Sequence, residues 1–255
     1  MELKHGLYNT SNYLMRKLAG AGFILCLFSI YLFFASEFDL FEFSETMSTP
    51  FLWAILYGYG ILSSILIDFI EAKFSIITQV TKTFLYVLAG FGFFLFNGLS
   101  VITVIAGTVG AFSALIFYLG TNLASRFLLF RFGFSLFLPA LILMLMSMDF
   151  TEKKKWNEST SHSTYTAEFE YFNGKHEIPI PLEKGQSLSF SINLINSNGG
   201  GHGLRVEDDK NQLVGLNDIG EERYLFKADH SGEYNIIVKG DQLRGSFTIV
   251  WEVLE

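Results

Sequence analysis

From Phe84 to Tyr118 the chain runs for 35 residues without a charged side chain, and as one straight helix that stretch would measure about 52 Å. The hydrocarbon core of a bilayer is roughly 30 Å thick and takes about 20 apolar residues as a helix. The run is too long for one crossing, so it is expected to fold back on itself. Asn97-Gly98 is its turn signal, with Ser100 close behind. Splitting there gives two spans, Thr83–Phe96 and Leu99–Leu119, joined as a tight helical hairpin. The first reaches full length only by extending back through Val80 and Ile76, past Lys82 at the interface. Helices are expected rather than open strands because backbone groups in lipid must satisfy one another.

Three other apolar runs accompany this hairpin. Leu18–Ser36 follows Arg16-Lys17, and Phe33-Phe34-Ala35 puts bulk where signal cleavage wants small residues, so it reads as a retained anchor. Phe51–Ile67 is opened by Pro50 and closed by Asp68 and Glu71. Phe132–Met148 carries Pro139, where a kink is expected. The fold expected for residues 1–150 is therefore a membrane α-helical bundle of about five transmembrane helices. Four spans, or a re-entrant hairpin, is the competing count. Cys26, the one cysteine, sits inside an apolar run and reads as a small hydrophobe.

Charge divides the chain in two. The whole is 50% hydrophobic with mean hydropathy +0.36, yet 17% charged. Seven Lys and Arg precede residue 150 and eleven follow it; eight Asp and Glu precede it and 17 follow, so the tail carries −6 of the net −7. Basic residues favour the cytoplasmic side of short loops. With a cytoplasmic N-terminus, Lys4, Arg16, Lys17, Lys73, Lys82, Arg126 and Arg131 all fall on that side. Residues 37–50, with Glu37, Asp39, Glu42 and Glu45, then face outward, and five crossings put the C-terminal domain outside the cytoplasm.

Residues 151–164 are polar and aperiodic and read as a linker, with Trp156 beside Lys153, Lys154 and Lys155 at headgroup level. From Tyr165 the pattern alternates. Ser187–Ile195 aligns Leu188, Phe190, Ile192 and Leu194 on one face, Glu233–Lys239 aligns Tyr234, Ile236 and Val238, and Gly245–Leu254 aligns Phe247, Ile249, Trp251 and Val253. Shorter strands are expected at Ala167–Phe172, His176–Leu182, Gly203–Glu207, Leu213–Leu216 and Tyr224–Lys227. Turn signals such as Asn173-Gly174 and Lys239-Gly240-Asp241 separate them. About eight strands at this spacing predict an all-β antiparallel sandwich or jelly roll over 165–255.

The runs IPIPLEKGQSLSF (178–190) and FKADHSGEYNIIVKG through GSFTIVWE (226–252) resemble bacterial pre-peptidase-type and related jelly-roll accessory domains. That resemblance implies an accessory or binding role outside the cytoplasm and brings no functional residues with it. YGYGILSSILID (57–68) resembles stretches of uncharacterised multi-pass membrane proteins of Gram-positive bacteria, which implies a bacterial source only; the location expected is a bacterial plasma membrane.

The apolar runs hold no ionisable side chain, which argues against ion-coupled transport. All five histidines (His5, His162, His176, His202, His230) lie outside them, which argues against intramembrane hydrolysis by a histidine base or a zinc site. No phosphate-loop motif occurs, and the acidic tail is a poor nucleic-acid binder. No cofactor and no catalytic residue is expected. Asp68 and Glu71 read as an interfacial helix end, pairing with Lys73, with a coupling or gating site as the lesser alternative. Gly199, Gly200, Gly201 and His202 read as a hairpin loop or a binding loop. Asp208 and Asp209 read as a solvated turn or, less readily, a Ca²⁺ site. Lys153–Lys155 read as a solvated linker or a contact for anionic lipid or wall polymer. Small residues cluster at Gly20 and Gly22, Gly58 and Gly60, Gly90 and Gly92, and Ala106, Gly107, Gly110, Ala111 and Ala114; the spacings 106/110/114 and 107/111 let two helices approach closely, within one chain or in a homo-oligomer. The expected partners are the bilayer and an envelope protein or glycan.

Overall fold

The computed structural model describes the backbone of residues 2–74, 78–96, 98–220 and 222–254, with side chains from Thr10 onward. The chain forms two compact units, Met1–Met148 and Asp149–Glu255.

The first unit is helical: α1 (Glu2–Ala35), α2 (Leu40–Met47), α3 (Pro50–Lys73), α4 (Gln79–Leu95), α5 (Val101–Arg126) and α6 (Leu128–Met146). Four helices, Thr10–Ala35, Pro50–Lys73, Val101–Arg126 and Leu128–Met146, are long and apolar enough to cross a membrane, and α4 is a shorter apolar helix of 17 residues. Ile76 and Asn97, on which the expected extension and turn partly rested, lie outside the described residues. Gly98 has φ +83°, as a helix-to-helix turn requires.

Local chemistry sets the helix boundaries. Asp39 caps α2 by accepting from the backbone N–H of Phe41 and Glu42, Thr78 caps α4 through the Thr81 N–H, and Ser100 caps α5 through the Thr103 N–H. Pro50 opens α3 at a first-turn position where a missing N–H costs nothing. A π-helical segment interrupts α3 at Ala54–Tyr59 and α6 at Gly133–Phe137, just before Pro139. The widened turn before Pro139 accommodates the residue that has no N–H to donate.

Small residues set the closest approaches. A Cβ on Gly90 would strike the carbonyl of Gly110, one on Gly22 the carbonyl of Phe134, and one on Gly120 the Cα of Gly20. These contacts join α4 to α5, α1 to α6 and α5 to α1, so the small-residue pattern serves packing within one chain.

The second unit contains β1 (Glu152–Lys154), β2 (Asn157–Ser161), β3 (Thr164–Leu182), β4 (Ser187–Asn196), β5 (Gly201–Glu207), β6 (Asn217–Gly220), β7 (Arg223–Lys227) and β8 (Gly232–Leu254), all antiparallel. The linker expected at 151–164 is corrected. Residues 152–154 pair with 171–173 of β3, and residues 157–161 pair with 164–168. Their polar composition reflects edge strands exposed along their whole length, on both faces, so they carry no apolar alternation.

Two expected turns are instead matched irregularities in a long ribbon. β3 passes through Asn173-Gly174 and β8 through Gly240 and Gln242, with Gly174 opposite Gly240 and the register shifting between Phe169 and Gly174. A bulge bends a strand and lets it move from one layer to the next. Beyond the bend the two halves of β3 face each other, with the rings of Tyr165 and His176 5.0 Å apart, and Phe226 of β7 meets Tyr234 of β8 at 5.5 Å. Phe172, Phe190, Phe226, Tyr234 and Phe247 fill the space between the layers at no more than 2% exposure. Leu213–Leu216 makes only an isolated bridge to Glu207, and the edge strand β6 had no apolar signature to announce it.

Candidate functional site

A hydrogen-bonded set of polar groups lies where α1, α3 and α4 meet, buried at Lys17, Ser64 and Tyr86 and part-exposed at Asp68, Glu71 and Lys82. Lys17 of α1 is 3% exposed and donates to Ser64 Oγ at 2.7 Å and to Asp68 Oδ2. Asp68 also receives Lys82 Nζ at 2.9 Å on its other oxygen and the Tyr13 hydroxyl at 2.8 Å. Lys82 completes the array on Glu71 at 2.6 Å, and Ser64 shares a 2.6 Å hydrogen bond with the Tyr86 hydroxyl. Two lysines and two carboxylates thus neutralise one another, and every charge has a hydrogen-bonded partner. A buried charge demands this, because desolvation is repaid only when the remaining donors and acceptors are satisfied.

Helical spacing explains the convergence. Ser64, Asp68 and Glu71 fall at i, i+4 and i+7, a single face of α3. Asp68 and Glu71 are thus brought together, as their spacing suggested, but their partners are Lys17 and Lys82 rather than Lys73. Lys73 lies at the exposed end of α3, its Nζ 5.7 Å from the Phe74 ring centre. Sequence reasoning missed Lys17, Lys82, Ser64, Tyr86 and Tyr13 as members of the cluster. The available signal was position: Lys17, Asp68 and Lys82 each stand immediately outside an uncharged run. Neighbouring contacts mark the same end of the unit. Tyr118 donates to Gln79 Oε1, and Arg131 reaches Asn12 Oδ1 at 3.0 Å.

Tyr86 links this cluster to a cavity of about 220 Å³ bounded by α1, α3, α4 and α5. Its wall is built mostly of apolar and aromatic groups, including Phe28, Leu56, Phe93 and Phe117, with Ser63 and Ser113 among them. The Tyr59 hydroxyl on that wall is already committed to the Ala89 carbonyl at 2.7 Å.

In the β unit the expected candidates separate. Asn196 Oδ1 accepts from the backbone N–H of Asn198 and Gly199, and Asn196 Nδ2 donates to the Gly200 carbonyl. Asn198 ties the loop to β8 through the Gln242 carbonyl and the Arg244 N–H. Gly199, at φ +76°, and Gly200, whose Cβ would sit 2.8 Å from the Asp241 carbonyl, therefore form a clamped turn. Its amides point to its own side chains, which leaves no anion cradle. Gly201 and His202 begin β5 as exposed edge residues opposite Asp241 and Gly240.

Asp208 closes the next turn by accepting from the N–H of Lys210 and Gln212, and the Gln212 bond holds its carboxyl below the usual range. Asp209 pairs with His230 at 2.8 Å. Asp208, Asp209 and His230 can each bring one ligand atom within 4.8 Å of the others, yet the ion pair and the turn account for all three.

The lysine run divides as well. Lys154 pairs with Glu152 and Lys155 with Glu170, both exposed, while Lys153 donates to His176 Nδ1 at 2.7 Å and lies over the Trp156 ring at 4.4 Å. Trp156 stacks on Phe169 at 5.2 Å and donates to Glu158, so it belongs to the sandwich's aromatic cluster. Burial, reinforced by the Lys153 charge, pushes His176 down to about 4.

No family model matches the chain, and no curated protein does. Among solved structures, the chain is similar to the periplasmic inhibitor of g-type lysozyme from Aeromonas hydrophila. The two are 18% identical over 38% of this chain and 93% of that one, with a TM-score of 0.28. A likeness at that score assigns no role.

Proposed function

We propose that the chain is a multi-pass protein of a bacterial plasma membrane whose helical unit anchors an extracytoplasmic β-sandwich that binds a protein, glycan or wall component. The observation that carries this reading is the pairing of a self-contained β unit with helices long and apolar enough to span lipid. The sandwich has its own closed core, so the helices are not needed to complete it. Charge supports the sidedness. The Lys17–Lys82 cluster and Arg131 gather at one end of the helical unit, whereas α2, which carries Glu42 and Glu45, packs at the other.

Membrane vesicles bearing the full chain should then retain purified peptidoglycan, or cross-link a protein partner in intact cells. Deleting residues 149–255 should abolish that retention. If the deleted chain retains as much, binding does not belong to the sandwich.

The Lys17–Asp68–Lys82 array favours a second reading, in which the helices carry the activity as a channel, an exporter subunit or an immunity-type factor. Ionisable groups enclosed among spanning helices are costly and mark functional positions. Under this reading Asp68→Asn removes the cellular phenotype while the protein still reaches the membrane, and loss of the sandwich leaves the phenotype in place.

A further inference from the structure

We propose that the cavity between α1, α3, α4 and α5 is a binding site for a segment of a membrane-lipid acyl chain. The inference rests on the membrane reading of the helical unit and adds a ligand to it. The cavity results from the choice of side chains. Gly60 and Ser63 on α3, Ala89 on α4, and Ser113 and Ala114 on α5 all present small groups to one space ringed by Phe28, Phe93 and Phe117. Leucine at any of these five positions would fill part of it, so three helices leave room at the same point.

The wall fixes the chemistry of the occupant. Its polar side chains are few: Ser63 and Ser113 bring one small hydroxyl each, and the ring hydroxyls are already used, Tyr59 by the Ala89 carbonyl and Tyr86 by Ser64. An apolar cavity of about 150 Å³ stays dry and takes up hydrocarbon, and this one measures about 220 Å³. That volume suits a length of chain rather than a whole lipid. The surrounding solvent of a spanning helix is acyl chain, so the occupant is present at high concentration wherever the wall opens.

The π-helical segment of α3 supplies Ile55, Leu56 and Tyr59 to the same wall. Such widened turns recur where a helix has been adapted to a site. Tyr86 touches both the cavity and the ion cluster, so an occupant pressing on its ring acts on the Ser64–Lys17–Asp68 array.

The test uses the full chain in vesicles of phosphatidylglycerol carrying a diazirine on one acyl chain, with cross-linked peptides mapped after irradiation. Labelling should concentrate on the cavity faces of α3, α4 and α5. Gly60→Leu, whose Cβ would lie 3.6 Å from Phe117, should lower it at least fivefold, and Gly58→Leu, where a Cβ meets nothing within 4 Å, should leave it unchanged. Ser63→Leu is the second filling variant should Gly60→Leu not give a monodisperse product. Labelling spread evenly over the lipid-facing residues, or equal in filled and control variants, overturns the proposal. Labelling by a polyprenyl-phosphate diazirine probe but not by the acyl probe overturns the acyl assignment. A chain released from membranes by carbonate fails the membrane reading itself, a result distinct from either.

Discussion

At the residue scale, the cost of breaking the ion cluster depends on which partner is removed. Asp68→Asn leaves Lys17, 3% exposed, with the Ser64 hydroxyl and a neutral amide oxygen as acceptors and no negative charge beside it. An uncompensated buried charge costs about 3–5 kcal/mol. Lys17→Met leaves Asp68 still bonded to Lys82 and Tyr13, so its cost should be smaller, about 1.5–3 kcal/mol, the scale of a hydrogen bond to a charged group. Thermal unfolding of the detergent-solubilised chain should therefore rank wild type above Lys17→Met above Asp68→Asn, with the double variant recovering part of the Asp68→Asn loss. An Asp68→Asn protein as stable as wild type removes the argument. Part of this site was legible. Ser64, Asp68 and Glu71 share a face by arithmetic, but Lys17 and Lys82 come from helices 47 and 18 positions away from Ser64, and no local pattern links them. Delimiting spans by their charges also assigns those charges to the interface, which is why an enclosed cluster read as three separate helix ends.

A second residue-scale prediction concerns His176. Its Nδ1 accepts from Lys153, which requires a neutral ring, and its pKa falls from 6.5 to about 4. The unfolded chain then takes up a proton that the folded one refuses between those values. The associated stability is fully present above pH 6.5 and is lost as pH falls toward 4, by up to about 3 kcal/mol. Urea unfolding of residues 149–255 at pH 7, 5.5 and 4.5 should show this decline, and His176→Gln should flatten it. Glu158 and Asp208, both held below the carboxylate range, add their own loss at lower pH, so the His176→Gln comparison isolates the ring.

At the scale of elements, the hairpin of α4 and α5 depends on one backbone crossing. Gly90 and Gly110 meet so closely that a Cβ on either strikes the other's carbonyl, whereas a Cβ on Gly92 meets nothing within 4 Å. Gly90→Val must push the helices apart, and overpacking of that kind costs roughly 1–3 kcal/mol. Gly92→Val on the same helix should be near neutral. Comparable melting temperatures for the two would show that the crossing is not a tight point. The small-residue spacing made this contact legible, since residues three and four apart share a helix face. In the β unit the strong alternation of β4, β7 and both halves of β8 was equally legible. The continuity of β3 through Asn173-Gly174, and of β8 through Gly240, was not. A glycine pair that bends a ribbon between layers carries the same local signature as one that ends a strand, and only the partner strand's matching glycine distinguishes them. The edge strands β1, β2 and β6 escaped for a different reason, because every residue in them is exposed and exposure on both faces removes the apolar alternation that reveals a strand.

At the scale of the whole molecule, the open quantity is parity, and α4 decides it. Its 17 residues rise about 25 Å, less than the roughly 30 Å core, so length alone leaves its crossing in question. Its contacts place it antiparallel to both neighbours. Lys82 near its start bonds Asp68 and Glu71 near the end of α3, and Gly90 packs on Gly110 in the antiparallel α5. A short span of this kind is accommodated by flanking side chains reaching the interface and by local thinning, at a fraction of a kcal/mol per ångström. The proposed reading takes α4 as a fifth crossing beside the four longer helices, with the N-terminus inside and residue 160 outside. A reporter active only outside the cytoplasm should then work when fused at residues 45, 98 and 160 and stay silent at 75 and 125. Were α4 to enter and leave on one side, the sign would invert at every site beyond it. Activity at 45 and 125 with silence at 98 and 160 would place the sandwich in the cytoplasm, where neither wall polymer nor an envelope partner could reach it.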